Sequence, residues 1–256
     1  MPSPRTKRSA RFLAGACRAA VVILFLLFVE FAVAKGWISP LFVSRPSNTI
    51  VTFWQMTMDG SIFPIAGTTI YMVLMTFVIG ASLGLPLGYA LWRYPLFGRA
   101  CEPLLGSLFA SPLILLYPMF LVVFGRTLTA IIAQAVVVGV IPIILGTQNG
   151  LRQVSQTLLD VGSIFQLNQW QFFRHLLLPA SAPLIFTGLR LGFIYMLLSV
   201  IAMEYVVAMG GVGNLISGAY FRLDTDELYV GVFLVIIFSV FFFQILLRGQ
   251  RWVGMV

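Results

Sequence analysis

The 256-residue chain is 60% hydrophobic and 9% charged, with a mean hydropathy of +1.00, a composition that excludes a water-soluble domain because its surface would be apolar. Lipid is the solvent such a chain requires, and at about 20 apolar residues per bilayer crossing it accommodates roughly five to seven spans in one membrane domain. The formal net charge of +8 is scattered between apolar runs and forms no single stripe, so it points to membrane topology and excludes nucleic acid as a partner.

The N-terminus, Met1-Pro-Ser-Pro-Arg-Thr-Lys-Arg, reads as a basic cytoplasmic segment over residues 1–18, with a membrane domain over 19–256. A basic segment before an apolar run also opens a secretory signal. Here the run continues to Trp37 without a convincing small-residue cleavage site, so it is read as an uncleaved first span. Long segments without charge predict spanning helices near 19–36, 65–92, 104–124, 128–148, 180–208 and 228–247. The predicted class is all-α and polytopic, with about six transmembrane helices. Glu30 in the first span and Arg190 and Glu204 in the fifth would each cost roughly 3 kcal/mol at the bilayer centre, so they are expected to face protein, water or headgroups.

With the N-terminus inside, Arg5, Lys7, Arg8, Arg11, Arg18, Arg93, Arg99, Arg152, Arg174, Arg248 and Arg251 fall on the cytoplasmic side. Only Lys35, Arg45, Arg126 and Arg222 fall outside, which is the bias that cytoplasmic retention of basic residues demands. The expected location is a bacterial inner membrane. In the second span, Gly80, Gly84 and Gly88 place three bare patches on one helix face, and Pro86 is expected to kink it.

Residues of about 149–179 form a cytoplasmic segment far longer than a turn requires. Leu158, Val161, Ile164 and Phe165 recur at helical spacing, and a second short helix is expected to start at Asn168, capping Gln171, and to end at Pro179. This segment resembles the EAA loop of binding-protein-dependent ABC importer permeases. The triplet falls at Asp160-Val161-Gly162, the joint at Gln166-Leu167-Asn168 and the tail at Leu178-Pro179. Asp stands for the family's Glu, Gly162 for its second Ala, and Gln166 for its usual Gly.

Further stretches resemble the nitrate, sulfonate and taurine permeases: Ile79–Gly88, Ser111–Pro118, Ala202-Met-Glu204, Gly210-Gly-Val-Gly213 and Asp224-Thr-Asp226. The resemblance implies a type I importer-like bundle with a cytoplasmic coupling helix, in which Leu158, Asp160, Val161, Gly162, Phe165 and Gln166 engage an ATPase. It also implies a pair of ATP-binding subunits that bind ATP and Mg, an extracytoplasmic substrate-binding protein, and a second permease copy in a homodimer. The solute it implies is small: nitrate, a sulfonate, taurine or a related organic compound.

Polar groups within apolar spans nominate Glu204, Tyr205, Ser199, Gln134, Tyr71, Ser111 and Tyr117 for the translocation pathway. Glu204 lines the pathway or locks a gate by pairing with Arg190, the alternative being a structural hydrogen bond that holds the fifth span. Gly210, Gly211 and Gly213 are expected to form a turn or re-entrant piece in an outer gate. Asp224 and Glu227 fit a capping pair at the sixth span.

No cofactor is expected on this chain and no enzymatic activity. Its two lysines, Lys7 and Lys35, stand outside any phosphate-cradling Gly-Lys-Ser/Thr loop, and His175 is the sole histidine, against a metal or paired-His site. Cys17 and Cys101 both fall near the cytoplasmic face and are read as reduced. The alternative function is a secondary transporter or channel without an ATPase partner, although inverted repeats are not evident.

Overall fold

In lipid no water satisfies an exposed backbone amide, so an apolar chain must close its hydrogen bonds within each segment. The computed structural model describes residues 4–252, and every regular element among them is helical. In chain order these are α1 (Pro4–Ala34), α2 (Pro46–Met58), α3 (Ile62–Arg93), α4 (Pro95–Ala110), α5 (Tyr117–Phe124), α6 (Leu128–Arg152), α7 (Gln156–Ile164), α8 (Gln169–Phe172), α9 (Leu178–Val207), α10 (Gly211–Arg222) and α11 (Thr225–Trp252).

Five segments are long and apolar enough to cross a membrane: Gly15–Ala34, Ile62–Arg93, Leu128–Arg152, Gln169–Val207 and Thr225–Gln250. The expected third span at 104–124 is no single helix. It is the pair α4 and α5, joined by a short 3-10 turn at Leu113–Leu116 and bent by 85°. The cause is local: Pro112 forces Ser111 into an extended conformation (φ −81°, ψ 145°), which closes α4. The first helix starts at Pro4, well before the apolar run, so the expected boundary at residue 18 falls inside one continuous helix. Pro86 does not interrupt α3.

Two helices were not foreseen. The first, α2, opens with Pro46 at a position that needs no amide donor. Its first turn receives Glu30 from α1, whose carboxylate accepts the Ser47 amide at 3.0 Å and the Ser47 hydroxyl at 2.8 Å, so the acid in the first span serves a helix N-terminus. At the other end of α2 the Ser61 amide donates to Asp59 at 2.9 Å and holds its carboxyl below the usual range. The second unforeseen helix, α10, follows the fifth span.

The core is built on α6, which packs most extensively on α9 and next on α3. Small residues set these distances. A Cβ on Gly84 would lie 2.7 Å from Ile143 and one on Gly88 2.6 Å from Thr147, so the glycine stripe of α3 is where α6 seats. The α6–α9 crossing is closer still: a Cβ on Gly146 would lie 2.5 Å from the Gly188 Cα, and one on either Gly139 or Gly192 would lie 2.7 Å from the other's carbonyl oxygen. Backbones that approach this closely gain dispersion contacts, which substitute for the hydrophobic effect in lipid.

The connection between α1 and α2 meets the start of α11 at one end of the bundle. Ser44 donates to Asp226 at 2.5 Å, Thr225 to the Pro40 carbonyl at 2.8 Å, and Tyr229 to the Phe42 carbonyl at 3.4 Å. These bonds border an open cleft of about 600 Å³ lined by Arg45, Asn48, Arg222, Asp224 and Asp226. Asp224 accepts the Glu227 amide at 3.0 Å, as the capping spacing predicts, while the Glu227 carboxylate turns to Arg222.

Candidate functional site: an elbow, a capped corner and a broken span

The elbow lies between α7 and α9. Gln166 takes a left-handed conformation (φ +48°), and the Leu167 amide donates to the Gly162 carbonyl at 3.2 Å. That six-to-one bond behind a left-handed residue is the Schellman closure of α7. Gln166 therefore stands where glycine costs least, which is the physical content of the departure noted at this position. Gly162 is buried, and a Cβ there would lie 2.6 Å from the Phe172 ring, so its small size lets α7 lie against the next helix.

Asn168 and Gln171 form a reciprocal capping box, with the Gln171 amide donating to Asn168 at 2.8 Å and the Asn168 amide to Gln171 at 3.1 Å. The expected end at Pro179 is overturned. Phe173–Leu177 form a π turn in which the Leu178 amide reaches the Phe173 carbonyl, and the helix runs on without a break from Gln169 to Val207. The wider turn places Pro179 in the first turn of α9, where the missing amide leaves no bond unmade.

Ile164 and Phe165 are about three-quarters exposed and Trp170 two-thirds, which leaves an apolar surface at the joint. Leu158 is about one-third exposed, and Asp160 accepts from the Gln156 side chain at 3.2 Å. The side chain of Val161 lies outside the described residues. His175 is exposed, with Nδ1 3.1 Å from the Gln171 carbonyl.

At the opposite end of α9 the chain reverses through Ala208 (φ 54°), Gly210 (φ 97°) and Gly211 (φ 84°) into α10. The turn expected from the glycines is present. Glu204 is fully buried beneath it. Its carboxylate accepts the Thr69 hydroxyl at 2.7 Å and the Gly213 amide at 2.8 Å, while Thr69 Oγ1 accepts the Val212 amide at 2.8 Å. An acid thus meets the positive end of α10. Arg126 complements it, donating to the Val207 carbonyl at 2.6 Å at the negative end of α9.

Cβ atoms at Gly211 and Gly213 would lie 2.2 Å from the Glu204 carboxylate and the Ile201 carbonyl, so glycine is required for the acid to reach these amides. The expected Glu204–Arg190 pair is not formed. Arg190 donates to Gln250 and lies 5.5 Å from the Phe243 ring centroid. Glu204 has no exposed surface in the single chain.

The third locale is the break between α4 and α5. A cavity of about 180 Å³ opens there, lined by Phe109, Ser111, Pro112, Ile114, Tyr195 and Ser199 among others. Of the pathway candidates, Ser111 and Ser199 line it, and Gln134 donates to the Ile114 carbonyl at 2.8 Å and so holds the broken backbone. Tyr117 packs against the core, and Tyr71 and Tyr205 are exposed on α3 and α9 without lining the cavity. Sequence reading missed Arg126 and Thr69, whose roles depend on long-range contacts. It also missed the Gly146/Gly150 and Gly188/Gly192 pairs, whose four-residue spacing carried the signal.

Residues 80–254 match the model of the binding-protein-dependent transport system inner membrane component family. The chain is 27% identical over 205 residues to the aliphatic sulfonates transport permease protein SsuC of Bacillus subtilis, covering 80% of this chain and 73% of that one. It is 25% identical over 231 residues to the riboflavin transport system permease protein RibX of Chloroflexus aurantiacus, covering 90% and 86%. To the bicarbonate transport system permease protein CmpB of a Synechocystis strain it is 27% identical, covering 84% and 80%. In fold it resembles a chain of the MetNI methionine ABC transporter, with a TM-score of 0.63 at 20% identity over 75% of this chain and 94% of that one. With the family model matched over more than half its length, on an all-helical bundle of five or six spans, this chain belongs to the inner-membrane components of binding-protein-dependent transport systems, the multi-pass permease subunits of ABC importers.

Proposed function

We propose that two copies of this chain form the transmembrane pathway of an importer whose energy comes from a separate pair of ATP-binding subunits docked on the α7–α8 elbow. Those subunits bind ATP and Mg, and an extracytoplasmic binding protein delivers the solute to the opposite face. The N-terminus and the elbow then lie in the cytoplasm, as the distribution of basic residues requires. The solute is a small one of the nitrate, sulfonate and taurine class or a related organic compound.

The observation that carries this reading is the elbow itself. A Schellman closure and a capping box fix its shape, its exposed surface presents Ile164, Phe165 and Trp170, and it continues directly into a span. Exposed aromatic and aliphatic anchors on a rigid support are what a stable docking surface needs. Their exposure also makes them expendable for folding. Phe165→Asp is expected to abolish co-purification of the ATP-binding subunit while leaving the melting temperature of the isolated chain within a few degrees. Co-purification unchanged by Phe165→Asp, or solute uptake by vesicles holding only this chain, would overturn the proposal in favour of a stand-alone transporter or channel.

A further inference from the structure

A helix needs about 20 residues to cross a hydrocarbon core of about 30 Å, and α3 has 32. At 1.5 Å per residue it is about 48 Å long, and a tilt of about 20° still leaves about 45 Å along the membrane normal. Asp59, an exposed carboxylate just ahead of α3, pins the start of the helix at one surface, because lipid does not tolerate such a charge. The excess of about 15 Å carries the turn between α3 and α4 clear of the hydrocarbon on the other side. Arg93 and Arg99, both exposed, flank that turn, as charges outside the hydrocarbon do.

Between the two arginines stand Tyr94, Leu96 and Phe97, all exposed, and Leu96 at 88% is the most exposed large apolar side chain among the described residues. The exposed apolar residues of α1 and α11 lie within spans and meet lipid. Those of the turn have neither lipid nor core to cover them, and apolar side chains gathered in that way mark an interface. Their support is rigid: a Cβ on Gly98 would lie 2.1 Å from the Leu91 carbonyl, so α4 folds tightly back on the end of α3.

What adjoins the turn identifies its partner. On the α3 side, Trp92 packs on Tyr89 with centroids 5.6 Å apart, Tyr89 meets Phe173 edge to face at 5.6 Å, and Phe173 stacks with Trp170 at 6.2 Å. This unbroken row of rings runs from the last turn of α3 to the elbow. On the α4 side, Glu102 pairs at 2.5 Å with Arg152, the last residue of α6 and just ahead of α7. The patch of the turn is therefore continuous with the elbow surface of Ile164, Phe165 and Trp170.

We propose that the α3–α4 turn is a second docking surface for the ATP-binding subunit, with Leu96 and Phe97 seated against the same subunit that the elbow engages. It rests on the reading of the elbow as a docking site and adds a contact through which the movement of that subunit reaches α3 directly, as well as α9.

The test uses the full chain in lipid nanodiscs with its purified ATP-binding subunit, and a benzophenone side chain placed in turn at Leu96, at Phe165 on the elbow and at Phe241, exposed within the span of α11. Leu96 and Phe165 are each expected to capture the ATP-binding subunit, and Phe241 lipid alone. Leu96→Asp is expected to weaken the subunit about ten-fold, the loss of one apolar anchor. The melting temperature of the chain alone should not change, since a side chain so exposed takes no part in the fold.

Lipid alone captured at Leu96, with the subunit captured at Phe165, would overturn the second surface and leave the elbow reading standing. Failure to capture the subunit at either position would overturn both. Unchanged affinity in Leu96→Asp, or a lowered melting temperature of the chain alone, would each overturn the second surface as well.

Discussion

Glu204 shows how one acid in a membrane span is made tolerable and what it does in return. Its carboxylate satisfies the Gly213 amide and the Thr69 hydroxyl, which in turn accepts the Val212 amide, so two groups that lipid could not solvate are served by one side chain and a third is served through Thr69. Glu204→Ala is expected to leave the amide and the hydroxyl unpaired and to cost about 2–4 kcal/mol, read as a lowered melting temperature in nanodiscs with α10 becoming protease-sensitive. The sequence disclosed that an acid at this depth needs a partner, and Arg190 was the charge at hand. The true partners are the Thr69 hydroxyl and one backbone amide of a helix that begins seven residues later, and an amide leaves no trace in residue type. Gln166 carries the opposite lesson: its place at the family's glycine position was visible, and its left-handed backbone is the reason the position prefers glycine.

Among the elements, the pairing of α6 with α9 decides the architecture. At Gly146 and Gly188 there is room for hydrogens only, since a Cβ on either would lie within 3 Å of the other's Cα. Gly146→Val sets a branched side chain against backbone that cannot rotate away, and it is expected to cost about 2–3 kcal/mol or more. The check is the yield of monodisperse protein after detergent extraction, which should fall sharply, while Gly106→Val on α4, where an added Cβ meets nothing, should leave it unchanged. Span number and order were legible because apolar run length is a direct readout of bilayer thickness. The bend at Ser111-Pro112 was written there too, in two residues, yet hydropathy averages over such punctuation. Continuity through Pro179 was hidden because a π turn rescues a proline that would otherwise end a helix.

Across the whole molecule, the connection between α1 and α2 is fastened to the start of α11 by bonds that span more than 180 residues of sequence, Ser44 to Asp226 and Thr225 to Pro40. Asp226→Ala cuts the first of these outside the core formed by α3, α6 and α9. It is expected to expose residues 37–45 to limited proteolysis several-fold faster while global stability changes by about 1 kcal/mol or less. No local pattern announces such a tie, since each partner is an ordinary polar residue in a loop.

The helix from Gln169 to Val207 is continuous for 39 residues, about 58 Å at 1.5 Å per residue, and Gly188, where it touches α6 most closely, has nineteen residues on either side. A rod pinned at its midpoint behaves as a seesaw: a rotation of 5° about that fulcrum swings its two tips about 2.5 Å in opposite senses, given the length above. One tip carries the elbow and the other the Glu204 corner, so a tilt about Gly188 is expected to move these two ends of the bundle in opposite directions.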